Sequence, residues 1–369
     1  MSASLQLETV SRTIETLVQA SVQGGLLTHA AAFYGRLKNP APEFCYQWLP
    51  EKRDIFDLAS LTKALVTTPL VFRSVAQRGL SLEDTLETWL GRQHATILDQ
   101  RLLKLTIRSL LRHESGLPAW RNFWICHLGT QSPATLNDPQ LIRMRLLEGL
   151  NRAAQDLCTK DPRQIYSDVG FLLLGLCLAE VEQKSIATQF FEMVQADLKV
   201  GCDALELYTG GVDPSVVART VPTAFCALRG RLLVGEVHDE NAASLGGMQG
   251  HAGLFGTGPA MASYLHHLFL SPLGQDVLTR NARAIEFPLR DPPNEGLLGW
   301  RQGADSSSMP FAQGNAMGHM GFTGVAFWVC PQAQDYAILL TNRVSGGRTR
   351  PGIAALRREV FAALAQLRS

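Results

Sequence analysis

The sequence predicts an α+β fold in which strands from both ends of the chain form one mainly antiparallel sheet. Two short apolar runs containing aromatic residues, 26–37 and 44–49, flank an Asn-Pro turn and are typical of a β-hairpin. Two further strand-like runs, 321–330 and 336–342, come late in the chain. The stretch 61–182 between them has mostly helical apolar spacing, so we expect a helical lobe inserted beside a sheet that the two ends share.

This arrangement divides the chain into two predicted regions. Residues 1–60 and 240–369 would form a discontinuous α/β domain around the sheet, and residues 61–239 would form a mainly helical domain. Two stretches with helical apolar spacing, 1–23 and 353–367, add helices at the ends of the chain. We expect the active site at the junction of the two domains.

The elements of the helical region follow from apolar residues at helical spacing, with Gly and Pro marking the ends. The predicted helices are 65–77, 82–90, 107–111, 139–154, 169–182 and, further along, 259–270. The glycine-rich stretch 208–258 has little periodicity. A loop this long in a compact protein is usually functional.

Composition excludes several classes of protein. Apolar residues make up 46% of the 369-residue chain and charged residues 18%, which is typical of a globular protein without a disordered block. The net charge of +1, with scattered arginines, gives no footprint for nucleic acid or an anionic membrane. No apolar stretch reaches the length of a membrane span and no secretion signal is evident, so we expect no membrane insertion and a cytoplasmic location. The oligomeric state is left open.

The cysteines and histidines do not form a metal-binding pattern. The seven cysteines are odd in number and widely spread, without a Cys-x-x-Cys pair, so we predict reduced thiols and no disulfide framework. His113, His238 and His251 with Asp239 are the one grouping that a zinc site would use. Their spacing does not match a known zinc pattern, and we expect no metal and no cofactor.

The first candidate for chemistry is Ser60-Leu61-Thr62-Lys63, where an extended run turns into a helical one. Residues three apart on a helix share a face, so the Lys63 amine can reach the Ser60 hydroxyl. A serine needs a base to become a nucleophile, and a lysine can serve if burial lowers its pKa. Ser-x-x-Lys also occurs on ordinary surface helices, where it has no catalytic role.

Two later motifs add further candidates. Tyr166-Ser167-Asp168 precedes an apolar helix, so the tyrosine can pass a proton beside a serine nucleophile, or the motif can simply be a helix cap. His319-Met320-Gly321 leads towards a predicted strand, and Gly321 would let a substrate approach the strand edge closely. A backbone N–H at this point could complete an oxyanion hole with that of Ser60. A plain glycine turn is the alternative.

In this order the three motifs resemble those of the serine β-lactamase and penicillin-binding protein superfamily, whose signature is Ser-x-x-Lys, a Tyr-x-Asn or Ser-Asp-Asn element and Lys-Thr-Gly. The chain is most similar to the class C β-lactamase-like subgroup, which includes D,D-carboxypeptidases and esterases. Further stretches carry the likeness, which runs from about residue 24 to the end of the chain: 107–118, 237–241, 250–255 and 340–343. The resemblance implies the β-lactamase/transpeptidase-like fold.

Carried over residue by residue, the resemblance implies Ser60 as the acylated nucleophile, Lys63 as its base and Tyr166 as the proton shuttle. The backbone N–H groups of Ser60 and Phe322 would form the oxyanion hole. Contacts with substrate are expected from Asp168, His319, Gly321 and Arg343.

Two positions depart from the family pattern. Asp168 stands where the family often has Asn, which replaces an amide with an anion, and His319 stands where the family often has Lys. A histidine's charge near pH 7 depends on its surroundings, so recognition of a substrate carboxylate would differ. Arg343, in the loop after the last predicted strand, could bind such a carboxylate through two hydrogen bonds or lie on a solvated loop.

The sequence therefore predicts a serine hydrolase that forms an acyl-enzyme on a small amide or ester. A D-amino-acid-containing peptidoglycan fragment or a β-lactam-like compound would be such a substrate. One alternative is an inactive family member that binds or senses a ligand, and a second is a metal-dependent hydrolase that uses the histidines. We expect a small molecule or short peptide as the binding partner.

Overall fold

A six-stranded antiparallel sheet lies at the centre of the computed structural model, with the strand order β2-β1-β11-β10-β9-β8. The structure describes residues 3–91, 97–123, 138–158, 164–200, 206–209, 213–286, 297–302, 311 and 316–368. The strands are β1 (Ala30–Arg36), β2 (Phe44–Trp48), β3 (Phe56–Asp57), β4 (Leu207–Tyr208), β5 (Phe225–Cys226), β6 (Arg231–Leu232), β7 (Phe255–Gly256), β8 (Arg301–Gln302), β9 (Met317–Met320), β10 (Ala326–Cys330) and β11 (Asp335–Thr341).

Helices surround the sheet and fill the middle of the chain. They are α1 (Ala3–Gln23), α2 (Thr68–Arg78), α3 (Leu86–Leu90), α4 (Gln100–Leu103), α5 (Ile107–Leu111), α6 (Pro139–Ala154), α7 (Asp168–Glu182), α8 (Ile186–Ala196), α9 (Pro214–Arg219), α10 (Glu240–Ser244), α11 (Gly258–Leu270), α12 (Pro272–Glu286) and α13 (Ile353–Ala365). One turn of π-helix, Lys63–Thr67, leads into α2. The predicted α+β fold is confirmed.

The two ends of the chain meet in the sheet as the sequence predicts. β1 pairs with β11 from Ala30 opposite Thr341 to Arg36 opposite Asp335, and β1 also pairs with β2 as the expected hairpin. Side chains alternate between the faces of β1. Phe33 packs into the larger core against the helical lobe, whereas Tyr34 packs into a second core with α1 and α13. Both faces of the sheet are therefore covered.

Two predicted elements differ in the structure. The run 321–330 is not one strand, because His319 and Met320 end a separate strand, β9, before a tight turn that leads into β10. Three buried residues and one half-buried residue without alternating polarity give β9 no sequence signal. The predicted helix 82–90 shortens to α3, since the Asp84 carboxylate accepts a hydrogen bond from the Ser81 N–H (2.7 Å) and forms a turn first.

Asp57 joins three segments where the sheet meets the helical lobe. Its buried carboxylate accepts hydrogen bonds from the N–H groups of Ala59 and His238, each at 2.8 Å. The Asp57 carbonyl accepts one from the Thr323 hydroxyl, also at 2.8 Å. Burial raises the pKa of Asp57 to about 6. One residue thus connects the turn before Ser60, the segment before α10 and the turn between β9 and β10.

Within the described residues, no helix is both long enough and apolar enough to cross a membrane.

Candidate active site

Ser60 lies in the turn between β3 and the π-helical turn, and Lys63 begins that turn. Ala59, immediately before the serine, has a φ of 46°, a left-handed conformation that costs energy for a residue with a Cβ. The Asp57 carboxylate holds the Ala59 N–H in this position. The Lys63 Nζ lies 3.0 Å from the Ser60 Oγ, so the structure brings the two residues together in the way the motif requires.

The Lys63 ammonium has four polar neighbours. Besides Ser60 and the Tyr166 hydroxyl, these are the Asp168 Oδ1 at 2.7 Å and the His251 carbonyl at 3.1 Å. Lys63 is fully buried. Burial, the largest single influence, lowers the pKa of Lys63, but the charges of Asp168 and Tyr166 and the hydrogen bonds with them together outweigh burial, so the net pKa is raised. Burial therefore does not make Lys63 a base at neutral pH in the resting enzyme, and the role of Lys63 as the base of Ser60 stays a prediction.

Tyr166 and Asp168 reach the site from the start of α7. Ser167 is the N-cap residue, and its Oγ accepts a hydrogen bond from the Gly170 N–H (3.1 Å). Ser167 therefore caps the helix, while its neighbours Tyr166 and Asp168 line the cavity beside Ser60. The Tyr166 hydroxyl is hydrogen-bonded to both Lys63 and Ser60. Burial raises the pKa of Tyr166, which keeps the phenol protonated at neutral pH.

Two buried histidines pack against Tyr166. The ring centroid of His113 lies 4.6 Å from that of Tyr166, and that of His319 lies 5.9 Å away. The His319 Nδ1 donates to the Met320 carbonyl at 2.9 Å. Burial, aided by the charge of Lys63, lowers the pKa of His319 well below its ordinary value. The position where the family often has a lysine is therefore neutral in this protein.

Gly321 allows the β9–β10 turn to approach the nucleophile. A Cβ at this position would lie 3.0 Å from the Leu58 carbonyl oxygen and 2.5 Å from a methyl group of Val325, so a side chain would displace the turn. Across the described residues, neither the Ser60 N–H nor the Phe322 N–H donates to a backbone carbonyl. Both are available to an oxyanion.

Arg343 supports this turn from outside the cavity. Its guanidinium lies 4.4 Å from the Phe322 ring centroid and donates to the carbonyls of Phe322 (2.8 Å) and Arg348 (2.9 Å). It is not among the residues that line the cavity around Ser60. A direct contact between Arg343 and substrate therefore stays a prediction.

The cavity beside Ser60 has a volume of about 500 Å³ and contains residues to which sequence reasoning gave no site role. Arg301 projects from β8, with its guanidinium carbon 6.0 Å from the Tyr166 ring centroid. Arg348 forms an ion pair with Glu240. The lining residues are Ala59, Ser60, Trp120, Tyr166, Asp168, His238, Asp239, Glu240, Ala252, Arg301, Met320, Phe322 and Arg348. Sequence reasoning named His238 and Asp239 only as part of the metal alternative, and Glu240 only through the loop length of 208–258 and the family likeness of 237–241.

The proposed metal alternative has no support in the part of the chain that the structure describes. There, no three His, Cys, Asp or Glu side chains come together as a group that could hold a metal ion. His251 instead contacts Asp239, with 2.8 Å between Nε2 and Oδ1.

Comparison with known proteins agrees with this arrangement. A family model described as beta-lactamase matches residues 46–362. The chain belongs to the β-lactamase family. The prediction of a serine hydrolase with the β-lactamase/transpeptidase-like fold is confirmed at the level of this family.

Several known proteins are similar to this chain. The N-acetylmuramyl-L-alanine amidase of Bacillus subtilis (strain 168) is 27% identical over 309 residues, which cover 79% of this chain and 68% of the relative. A relative in Escherichia coli (strain K12), provisionally named a D-alanyl-D-alanine carboxypeptidase, is 24% identical over 311 residues, which cover 78% of this chain and 69% of the relative. A class C β-lactamase from Rhodobacter sphaeroides has a similar fold, with a TM-score of 0.61 and 15% identity. The match covers 96% of this chain and 98% of the β-lactamase.

Acid should destabilise this β-lactamase-family protein through its buried neutral histidines, and His113→Asn should reduce the effect. Burial lowers the pKa of His113 from 6.5 to about 3. Below pH 6.5 the unfolded state binds a proton that folded His113 does not, so stability falls as the pH falls through this window. His113 contributes about 2–3 kcal/mol to the loss between pH 7 and 4.5. Asn tolerates the φ of 58° and can accept the Ser167 N–H as the His113 Nδ1 does.

The measurement is urea unfolding of both proteins at pH 7 and pH 4.5. We expect the difference between the two pH values to shrink by about 2–3 kcal/mol in the variant. His267→Asn, at a half-buried histidine on α11, is the control and should keep the wild-type difference. An unchanged pH dependence in His113→Asn would contradict the assignment.

Proposed function

We propose that this β-lactamase-family protein is a serine amidase that forms an acyl-enzyme through Ser60 and releases it with water. One observation carries the proposal: the Ser60 Oγ lies 3.0 Å from the Lys63 Nζ, and the Tyr166 hydroxyl is hydrogen-bonded to both. This arrangement supports Ser60 as nucleophile, Lys63 as base and Tyr166 as proton donor beside the cavity that Ser60 and Tyr166 line.

The first step requires Lys63 as the free amine. A neutral amine has two N–H donors and one lone pair, so it can keep its contacts with Asp168 and the His251 carbonyl while the lone pair faces Ser60. Lys63 then accepts the Ser60 proton as the Oγ bonds to the substrate carbonyl carbon. The negative charge that develops on the carbonyl oxygen is stabilised by the N–H groups of Ser60 and Phe322.

Tyr166 completes the reaction with a leaving amine. The amide nitrogen must gain a proton as its bond to carbon breaks, and the protonated Tyr166 phenol can give it. Lys63, now an ammonium, returns its proton to Tyr166. In the second half, water attacks the acyl-enzyme and gives up a proton along the same route, which restores the Ser60 hydroxyl.

An amide from a peptidoglycan fragment is the substrate class that we propose. The relative named N-acetylmuramyl-L-alanine amidase supports it, and a cavity of about 500 Å³ suits a small ligand. The exposed rings of Trp120 and Phe322 offer apolar surfaces at the cavity. An ester or a β-lactam would follow the same chemistry at Ser60.

A D,D-carboxypeptidase is the second candidate. It must bind a C-terminal carboxylate, and Arg301 brings a guanidinium to the cavity near neutral His319. Release of D-alanine from a D-alanyl-D-alanine peptide would favour this activity, whereas release of an amino acid from a muramyl amide would favour the amidase.

We also propose that the protein works in the cytoplasm. The buried cysteines Cys177, Cys226 and Cys330 are free thiols, which suits a reducing compartment.

We further propose that the site lies between two domains. Ser60 and the β9–β10 turn come from the proposed sheet domain, residues 1–60 and 240–369. Lys63 and Tyr166 come from the proposed helical domain, residues 61–239.

Asp168→Asn should move the activity to lower pH. The negative charge of Asp168 raises the pKa of Lys63, and removal of an anion beside a cation lowers the cation's pKa. We expect the acid limb of the kcat/KM profile to shift down by about one to three pH units, so that the variant is faster than wild type at pH 7. Asp197→Asn, which removes a carboxylate from an ion pair with Arg73, is the control and should keep the wild-type profile. A variant that is slower at every pH would contradict this role.

The proposed function is tested by intact-mass measurement after incubation with a fluorophosphonate, an activated ester and a β-lactam. We expect an adduct on Ser60 with at least one probe, and we expect Ser60→Ala and Lys63→Ala each to abolish it. Absence of an adduct with every probe, while a ligand still binds, would favour a non-catalytic binding protein. Activity that survives Ser60→Ala but not a chelator would favour a metal-dependent hydrolase.

A further inference from the structure

Asp239 has a fixed carboxylate at the wall of the cavity. Its Oδ1 accepts a hydrogen bond from the Ala242 N–H (2.8 Å), because Asp239 is the N-cap of α10. The same oxygen lies 2.8 Å from the Nε2 of His251, which is almost fully buried. Two contacts on one oxygen hold the carboxyl group in a single orientation.

The second oxygen of Asp239 is left for a ligand. The side chain is 23% exposed and lines the cavity that contains Ser60. Across the described residues, Oδ2 has no hydrogen-bond partner. The two other carboxylates of the cavity are engaged, Asp168 with Lys63 and Glu240 with Arg348 through both of its oxygens.

This oxygen carries negative charge at neutral pH. Burial by itself would raise the pKa of Asp239, but the His251 contact, the Ala242 N–H and the charge of Lys63 hold it well below its ordinary range. An ionised acceptor forms stronger hydrogen bonds than a neutral one. A substrate that enters the cavity therefore meets a rigid anionic acceptor in the same cavity as Ser60.

We propose that Asp239 determines specificity by accepting a hydrogen bond from an N–H group on the acyl part of the substrate, next to the scissile carbonyl. The group is either a protonated amine or an acylated amine, since both present an N–H. The inference rests on the proposed function of Ser60 and names the substrate class: amides whose acyl part bears nitrogen, as a stem-peptide bond of a peptidoglycan fragment does. A muramyl amide falls outside this class, because the carbon next to its carbonyl bears an ether oxygen. A site that hydrogen-bonds a substrate group discriminates against the analogue that lacks it.

The chain offers a variant that changes only the atom facing the cavity. In Asp239→Asn the amide oxygen can still accept from the Ala242 N–H and the His251 Nε2–H, and Asn is an equally good N-cap. The amide NH₂ then occupies the position of Oδ2 and presents donors where the wild type has an acceptor. Asp213→Asn is the matched control, since Asp213 caps α9 on the surface and accepts from the Ser215 N–H at 2.8 Å.

Three small boronic acids serve as probes, because a serine oxygen adds to boron as it adds to a carbonyl carbon. They are (1-aminoethyl)boronic acid with an ammonium group, its N-acetyl derivative with a neutral N–H, and ethylboronic acid with neither. Dissociation constants come from competition with fluorophosphonate labelling of Ser60. A comparison of the first two probes shows whether Asp239 prefers a protonated amine or an acylated amine.

We expect the wild type and Asp213→Asn to bind at least one nitrogen-bearing probe about tenfold more tightly than ethylboronic acid, which is about 1.4 kcal/mol. Asp239→Asn should lose this preference and still bind ethylboronic acid as the wild type does. Equal affinity of the wild type for all three probes would overturn the inference while leaving the acylation of Ser60 intact. A preference that survives in Asp239→Asn would also overturn it. If none of the three boronic acids reacts at Ser60 and fluorophosphonate does not react there either, the proposed function itself would be overturned.

Discussion

The contact between Lys63 and Asp168 determines what the rest of the site must do. A buried ammonium 2.7 Å from a carboxylate is stabilised as a cation, and a cation cannot take the Ser60 proton. The site therefore keeps its nucleophile protonated until Lys63 loses a proton. Tyr166 does not replace it as a base, because burial raises the pKa of the phenol. In the mechanism that we propose, Asp168 would thus make the rate of acylation depend on pH, and Asn at that position would weaken this dependence.

The geometry around this pair depends on contacts that join distant parts of the chain. Asp57 connects the strained turn before Ser60 to His238 and Thr323. On the other side of the β9–β10 turn, the nearly buried guanidinium of Arg357 donates to the carbonyls of Gly321 (2.8 Å) and Val325 (3.0 Å). These hydrogen bonds hold the Ser60 turn and the β9–β10 turn in place, so the two N–H groups that we propose as the oxyanion hole would need little reorganisation during the reaction.

Local patterns were enough to predict many of the elements but not all of them, and not all contacts between them. The hairpin, the late strands and helices such as α5 and α6 were predictable because their apolar spacing is a property of a short segment. The helices α8 and α12 were not predicted. Nor was β9, since its three buried residues and one half-buried residue carry no alternation. Ser60, Lys63 and Tyr166 were recognisable from their motifs. The ion pair that raises the pKa of Lys63 was not, because the sequence shows only that Asp168 is acidic, not which way it points. The His251 contact with Lys63 uses a backbone carbonyl, which every residue has, and so leaves no mark in the sequence.

The chemistry of the site depends on whether Asp168 holds Lys63 as a cation in the resting enzyme. This is measured by a ¹⁵N NMR titration of the Lys63 Nζ in the wild type and in Asp168→Asn, with the resonance assigned by loss of the signal in Lys63→Ala. We expect a pKa above the ordinary 10.5 in the wild type and a lower pKa in the variant. A wild-type Lys63 that titrates near neutrality, with no change on removal of the Asp168 charge, would contradict it.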